Sequence, residues 1–178
     1  SYDIVLGAAP LADAVQDTEV PGLEIVPSTV DLSGADLELA ELPQRNFRLQ
    51  QALEKAKARD AYDYILIDCP PSLNLLTVNA MVAAHSVLIP LQSEFFALEG
   101  LSQLLSTVEQ VKSALNSELS IHGIVLTMYD SRNNLSSQVV ADVRETMGDA
   151  AYDTVIPRNV RISEAPSYGK PALLYDLK

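Results

Sequence analysis

Asp68 is the residue of this sequence whose type and position most directly indicate chemistry. It follows the apolar residues 64–67, which read as a buried strand, so its carboxylate would stand at a strand end. A hard cation such as Mg²⁺ takes oxygen ligands held rigidly at such an edge, directly or through water. An Asp there also suits a turn, or the cap of a helix beginning near Ser72. Both interpretations stay open.

The residues after Asp68 are Cys69, Pro70 and Pro71. Two consecutive prolines restrict the backbone, which favours a loop with a defined shape. Cys69 is the sole cysteine, so it can form neither an internal disulfide nor a cysteine-rich zinc site, and it fits a reducing compartment. No histidine lies near it in sequence, so the thiol reads as inert rather than nucleophilic.

A second candidate site lies in the loop that begins at Pro157. There a rigid turn, the planar cation of Arg158 and the amide of Asn159 stand together. Such a loop can stack on a purine base and hydrogen-bond to it, and it can equally be a surface turn. Arg132 and Arg161 are candidates for phosphate contacts, or they are solvated surface cations.

Five short apolar runs must position these residues if they are strands. They are rich in β-branched residues and do not alternate with polar ones, which is typical of strands covered on both faces. The runs are residues 23–26, 64–67, 87–89, 124–126 and 155–156.

Segments of helical period lie between these runs. An apolar stripe over 101–115 predicts a helix of about four turns. Residues 139–147 repeat the pattern, and residues 49–56 do so more weakly. Ser136 or Asn134 is the predicted N-cap of the 139–147 helix, and Gly148 its end.

Alternation of strands and helices predicts an α/β fold, a mostly parallel sheet flanked by helices. We expect a single domain over 1–178, with residues 1–22 as a peripheral helical lobe. In such sheets ligands bind outside the carboxyl ends of the strands. We therefore expect the turns that follow successive strands to form part of one pocket.

The composition is that of a globular protein, and no apolar stretch is long enough for a transmembrane helix. The net charge of −12 disfavours nucleic acid and anionic membranes as partners of the chain as a whole. The charge is uneven, however: residues 1–44 hold nine acidic and no basic residues, while 130–170 hold six acidic and five basic ones. A local positive patch is therefore compatible with the second region.

The sequence contains no Gly-x-x-x-x-Gly-Lys-Ser/Thr loop, the element whose backbone amides and lysine hold nucleotide phosphates. Only Gly169 precedes a lysine, Pro171 follows that lysine, and Glu164 stands where the first glycine belongs.

Four long segments resemble the ParA/Soj chromosome- and plasmid-partitioning ATPases, which are deviant-Walker P-loop proteins. They are residues 62–80, 87–105, 123–135 and 155–176, and the last is the most specific. The resemblance implies a cytoplasmic, nucleoid-associated protein that dimerises with ATP and Mg²⁺ and binds DNA nonspecifically. It implies release from DNA when a ParB-type partner stimulates hydrolysis, and it implies no membrane partner.

The resemblance also implies roles for the candidate residues, with Asp68 as the Walker B carboxylate near Mg²⁺. The other roles are the switch at Cys69, Pro70 and Pro71, the adenine side at Pro157, Arg158 and Asn159, and DNA contacts at Arg132 and Arg161.

Family members carry a phosphate loop and a central strand upstream of the point where this sequence starts. We therefore expect the 178-residue chain alone neither to bind ATP tightly nor to hydrolyse it, which leaves open whether it is itself an enzyme. Because strand edges would be left unpaired, we also expect self-association, a gap filled by another segment or chain, or a rearranged sheet. Two other functions stay open: a MinD-like positioning ATPase at the membrane, and a nonenzymatic interaction module on a degenerate nucleotide fold.

Overall fold

The computed structural model describes residues 1–70 and 72–176. The described chain divides into two compact units. The first comprises Ser1–Val87 and Leu104–Ser120, and the second comprises Leu88–Gln103 and Ile121–Lys178. The single-domain organisation stays a prediction, and Pro71 of the predicted switch lies outside the described residues.

In the part of the first unit that the structure describes, short helices pack around small hydrophobic cores. Its helices are α1 (Tyr2–Leu6), α2 (Ala35–Glu41), α3 (Arg48–Lys55), α4 (Ala58–Ala61) and α5 (Leu75–Ala83). One core centres on Leu39, which is fully buried, and the other on Leu53. A two-residue antiparallel pair, β1 (Gln16–Asp17) with β2 (Glu24–Ile25), completes the unit.

Two of the predicted buried strands in this unit are wrong. Residues 23–26 contribute only β2, which pairs antiparallel and is exposed. Residues 64–67 form no strand, and the side chains of Tyr64 and Leu66 are 85% and 91% exposed. An apolar run becomes a strand only when a neighbouring strand takes its backbone hydrogen bonds. Among the described residues, no strand pairs with 64–67.

The second unit holds most of a three-stranded sheet in the order β3 (Ser86–Gln92), β4 (Ser120–Tyr129), β5 (Ala151–Pro157). β4 and β5 are parallel, with Ile124 opposite Ala151 and Tyr129 opposite Pro157. The flanking helices are α6 (Ala97–Ala114), which continues into the first unit, and α7 (Asn134–Met147), α8 (Val160–Glu164) and α9 (Ala172–Tyr175). The predicted α/β class is confirmed.

Burial within the sheet is concentrated on β4, where Ile124 and Leu126 are fully buried. The prediction that all strands are covered on both faces is wrong for the outer two. Leu88 on β3 is half exposed, and Ile156 on β5 is more than one third exposed. An apolar run indicates that burial of the strand is favourable, but it does not predict whether a helix packs on the second face of the sheet.

The helix predictions for α6 and α7 are confirmed. On α7 the stripe buries Val139, Val140 and Val143, and Gly148 follows the helix with a positive φ of 52°. The N-cap is neither of the residues that the sequence predicts, because the Asn133 side chain accepts the Leu135 N–H. No helix in the described parts of the chain is both long and apolar enough to span a membrane.

Candidate functional site

A cleft of about 770 Å³ opens in the second unit at the carboxyl ends of the strands. Gln92 ends β3, Asp130 follows β4 and Arg158 follows β5, and all three line the cleft. This is the edge where ligands bind in parallel α/β sheets, because the connecting loops meet there.

Arg158 is the residue of the predicted nucleotide loop that lies in this cleft. Its backbone N–H donates to the Tyr129 carbonyl at 2.9 Å, which ties the start of the loop to the end of β4. Its guanidinium Nη2 lies 3.4 Å from Glu94 Oε1, and both side chains are more than half exposed. Such an exposed single contact contributes little, so the guanidinium is available for a ligand.

Pro157 and Asn159 flank Arg158 with different local roles. Pro157 is the last residue of β5 and lies opposite Tyr129 in the register. Asn159 caps α8, where its Oδ1 accepts the Arg161 N–H at 2.8 Å. The cap uses the acceptor of the amide and leaves its Nδ2 as a donor, which suits a ring nitrogen of a purine.

The cleft floor is fixed by two buried serines. The Ser93 N–H and Oγ both donate to the Thr127 carbonyl, at 3.0 and 3.1 Å, and Ser136 Oγ donates to the Ser93 carbonyl at 3.1 Å. These bonds join the loop after β3 to the end of β4 and the first turn of α7. Met128, beside them, has φ 55° and lines the cleft. A left-handed methionine is strained and persists where its surroundings hold it.

Phe95 and Phe96 form an exposed aromatic pair on the cleft wall. Their rings meet edge to face with centroids 5.1 Å apart, and the residues are 71% and 72% exposed. An aromatic pair left this open to water is typical of a contact surface. Neither phenylalanine is among the residues predicted from the sequence.

Arg132, a predicted DNA contact, is held by the carboxylate of Asp130, which is not among the predicted site residues. Asp130 Oδ1 accepts from Nε at 2.9 Å and from the Arg132 backbone N–H at 3.0 Å, and Oδ2 accepts from Nη2 at 2.8 Å. These bonds, with the charge of Arg158 as a smaller cause, lower the pKa of Asp130 to about 2. Asp130 lies in the turn after the predicted strand 124–126, and this position was the signal in the sequence that could have identified it.

Arg161, the other predicted DNA contact, lies on α8. Its Nη1 is 3.3 Å from Glu164 Oε2, which also accepts from the Tyr175 hydroxyl at 3.2 Å. The Arg161 side chain is 61% exposed, so it is accessible to a large anionic partner.

Asp68 lies in the first unit and is exposed, as are Cys69 and Pro70. The alternative role as a helix cap is wrong, because α5 begins at Leu75 and its cap is Asn74. The pKa of the Cys69 thiol is raised by partial burial of the sulfur and by the Asp68 charge, which agrees with an inert cysteine.

Asp68 and its neighbours could supply only some of the ligands that a Mg²⁺ ion needs. Within residues 1–70 and 72–176, no group of three or more His, Cys, Asp or Glu side chains could hold a metal. One carboxylate nevertheless suits Mg²⁺, which keeps several waters and takes oxygens from nucleotide phosphates. Asp68 therefore fits a metal that arrives with its nucleotide.

The sequence is similar to proteins named for chromosome partitioning. A family model described as an AAA domain matches residues 1–121. The chromosome partitioning protein ParA of Caulobacter vibrioides is 60% identical, and the match covers 99% of this chain and 66% of that protein. The sporulation initiation inhibitor protein Soj of Bacillus subtilis is 53% identical, with 98% of this chain and 68% of Soj covered. The chain thus spans about two thirds of the length of these curated relatives.

Solved structures share the fold. Cobyrinic acid a,c-diamide synthase of Mycobacterium smegmatis, crystallised with a bound ATP analog and magnesium, has a TM-score of 0.78 at 35% identity. That match covers 89% of this chain and 64% of the synthase. Apo McdA of Cyanothece has a TM-score of 0.85 at 21% identity, covering 96% of this chain and 69% of McdA, and shows the fold alone. From the relatives that match over nearly its whole length, this chain belongs to the ParA/Soj family of partitioning ATPases.

Proposed function

We propose that this chain forms the base-side and metal-side parts of a partitioning ATPase that binds ATP with Mg²⁺, dimerises and binds DNA nonspecifically. The observation that carries the proposal is the position of Arg158 in the cleft where β4 and β5 end, within a chain of the ParA/Soj family. A ParB-type partner would stimulate hydrolysis and release the DNA, and the protein would work in the cytoplasm on the nucleoid.

On the nucleotide side, each candidate residue has a distinct task. Asn159 offers its Nδ2 to the purine while its Oδ1 holds α8 in place. Arg158 stacks on the base, and Pro157 fixes the direction in which the loop leaves β5. Asp68 supplies one oxygen to the Mg²⁺ shell, and Cys69 with the two prolines after it forms the adjoining switch.

On the DNA side, local charge outweighs net charge. Nonspecific affinity comes from neutralised phosphates, and each contact acts within about a Debye length of roughly 8 Å at physiological salt. Arg132, in the turn after β4, and Arg161, on α8, are exposed cations of the second unit. The acidic residues of 1–44 weaken binding only where they approach the same DNA.

The 178-residue chain by itself is not expected to hydrolyse ATP, because its sequence holds no phosphate-binding loop. Turnover by the purified chain that disappears in Asp68→Ala would contradict this.

The DNA-binding part is tested with the full-length gene product, ATP, Mg²⁺ and a fluorescent duplex of random sequence. Arg132→Glu and Arg161→Glu should each weaken binding by about tenfold or more, and replacing either arginine with alanine should lower the salt slope by about one. Lys112→Glu on α6, which is also exposed, is the control with the same change in net charge. Equal losses for all three charge reversals, or no loss at the arginines, would refute the assigned contacts.

A further inference from the structure

The contact between Asp130 and Arg132 has the geometry of an arginine bound to a phosphate. The carboxylate meets the guanidinium side-on through two parallel bonds, from Nε at 2.9 Å and from Nη2 at 2.8 Å. Arginine binds carboxylate and phosphate in this same bidentate way. The Arg132 side chain is 87% exposed, and the Asp130 side chain is only 26% exposed. The anion is thus fixed, and the cation points into solvent.

The turn that carries the pair holds the carboxylate in place. Asp130 Oδ1 also accepts the Arg132 backbone N–H at 3.0 Å, and the Asp130 carbonyl accepts the Asn133 N–H at 3.0 Å. Asn133 in turn caps α7. Asp130 therefore approaches Arg132 through a short, locally closed turn, so the pair forms with little loss of chain entropy.

We propose that Asp130 is an intramolecular competitor for DNA at Arg132, occupying the guanidinium edge that a DNA phosphate would bind. The proposal rests on the proposed function, in which Arg132 contacts DNA. A phosphate that binds Nε and Nη2 displaces the carboxylate, and one that binds the opposite edge meets it as a nearby like charge. Either way the carboxylate lowers DNA affinity and favours release.

The other predicted DNA contact is restrained less. Arg161 contacts the Glu164 carboxylate through one nitrogen, at 3.3 Å, and the Tyr175 hydroxyl interacts with both side chains. A single exposed contact of this kind competes less than a bidentate one. Neutralising Glu164 should therefore change DNA affinity less than neutralising Asp130.

The test substitutes Asp130→Asn in the full-length gene product and measures binding to a random-sequence duplex with ATP and Mg²⁺. Asn keeps an oxygen for the Arg132 N–H, so the turn is retained while the charge is lost. Asp130→Ser, which also accepts a backbone N–H in such turns, is a second variant. Glu145→Gln, an exposed residue of α7, is the control for net charge.

Asp130→Asn should tighten DNA binding by about two- to fivefold, the range expected for releasing an exposed ion pair, and by more than Glu145→Gln does. In the Arg132→Ala background it should have no further effect. Weaker binding by Asp130→Asn would show that the carboxylate positions Arg132 and would overturn the proposal. A gain equal to that of Glu145→Gln, or one that persists without Arg132, would overturn it too.

The same series separates this inference from the proposed function. If Arg132→Ala binds DNA as the unchanged protein does, or if the unchanged protein does not bind, the DNA contact itself is wrong and both proposals fall. If Arg132→Ala weakens binding and Asp130→Asn does not strengthen it, only the competitor is refuted.

Discussion

Asn116 is the residue whose replacement tests the packing of the first unit most sharply. Its Nδ2 donates to three carbonyls at the end of α5, those of Met81 at 3.0 Å, Val82 at 3.2 Å and Ala84 at 2.9 Å. The last carbonyls of a helix have no partner within the helix, so one side chain satisfies what the helix cannot. α5 follows the Asp68 loop, and the amide therefore fixes the far end of the helix behind that loop.

Asn116→Ala removes two N–H donors from these carbonyls. At about 0.5–1.5 kcal/mol for each lost hydrogen bond, the free energy of unfolding should fall by about 1–3 kcal/mol. Asn116→Asp has nearly the same shape but places a carboxylate against three carbonyl oxygens at the negative end of the helix dipole. That adds an unfavourable term of about 0.3–1 kcal/mol or more, so Asp should be worse than Ala.

Urea unfolding of the 178-residue chain, followed by circular dichroism, measures both changes. Asn134→Asp is the matched control, because the first residue of α7 lies at the positive end of its helix dipole and the same substitution should be neutral or stabilising there. The excess cost of Asn116→Asp over Asn116→Ala should shrink at acid pH as the carboxyl gains a proton. An Asp variant as stable as the Ala variant at neutral pH would refute the assigned contacts.

By NMR, the Asp130 carboxyl should titrate near pH 2, and Arg132→Ala should raise its pKa toward 3.8. Because the pKa is lower in the folded state, the ion pair stabilises the turn above about pH 4. This stabilisation should be lost as the pH falls through about 2. Gly123→Ala should lower stability by about 1–3 kcal/mol, because a Cβ there would overlap the Tyr152 ring, and the cost should vanish in a Tyr152→Ala background. Asn133→Ala should cost about 0.5–2 kcal/mol through the lost cap of α7, measured by the same urea assay, and an unchanged midpoint would contradict the cap.

The helices and the central strand were predictable because their pattern and their burial agree. The stripes of α6 and α7 recur at helical spacing, and the run 124–126 lies inside a strand with neighbours on both sides. The run 64–67 is also apolar, yet it forms no strand. Strand formation depends on a partner that an apolar run does not encode, whereas a helix closes its own hydrogen bonds.

The arginines of the candidate site could be predicted from the sequence, but the carboxylates that contact them could not. Residues 157–159 and Arg132 stand out in the sequence because their types are unusual for a plain connector. Asp130 and Glu94 lie in turns that follow predicted strands, but only the structure shows that they contact Arg132 and Arg158. Asn159, the proposed contact of the purine base, also caps α8, and this cap is recognised only once α8 is known to begin at Val160.

We propose that residues of both the Asp68 loop and the 157–159 loop take part in nucleotide binding. The direct test uses NMR of the ¹⁵N-labelled full-length gene product with ADP and Mn²⁺ in place of Mg²⁺. The quantity measured is the paramagnetic broadening of backbone amide signals. If both loops bind the nucleotide, the Cys69 and Asn159 amides should both broaden, and the broadening should be lost in Asp68→Ala. Broadening at only one of the two loops, or at neither, would contradict it.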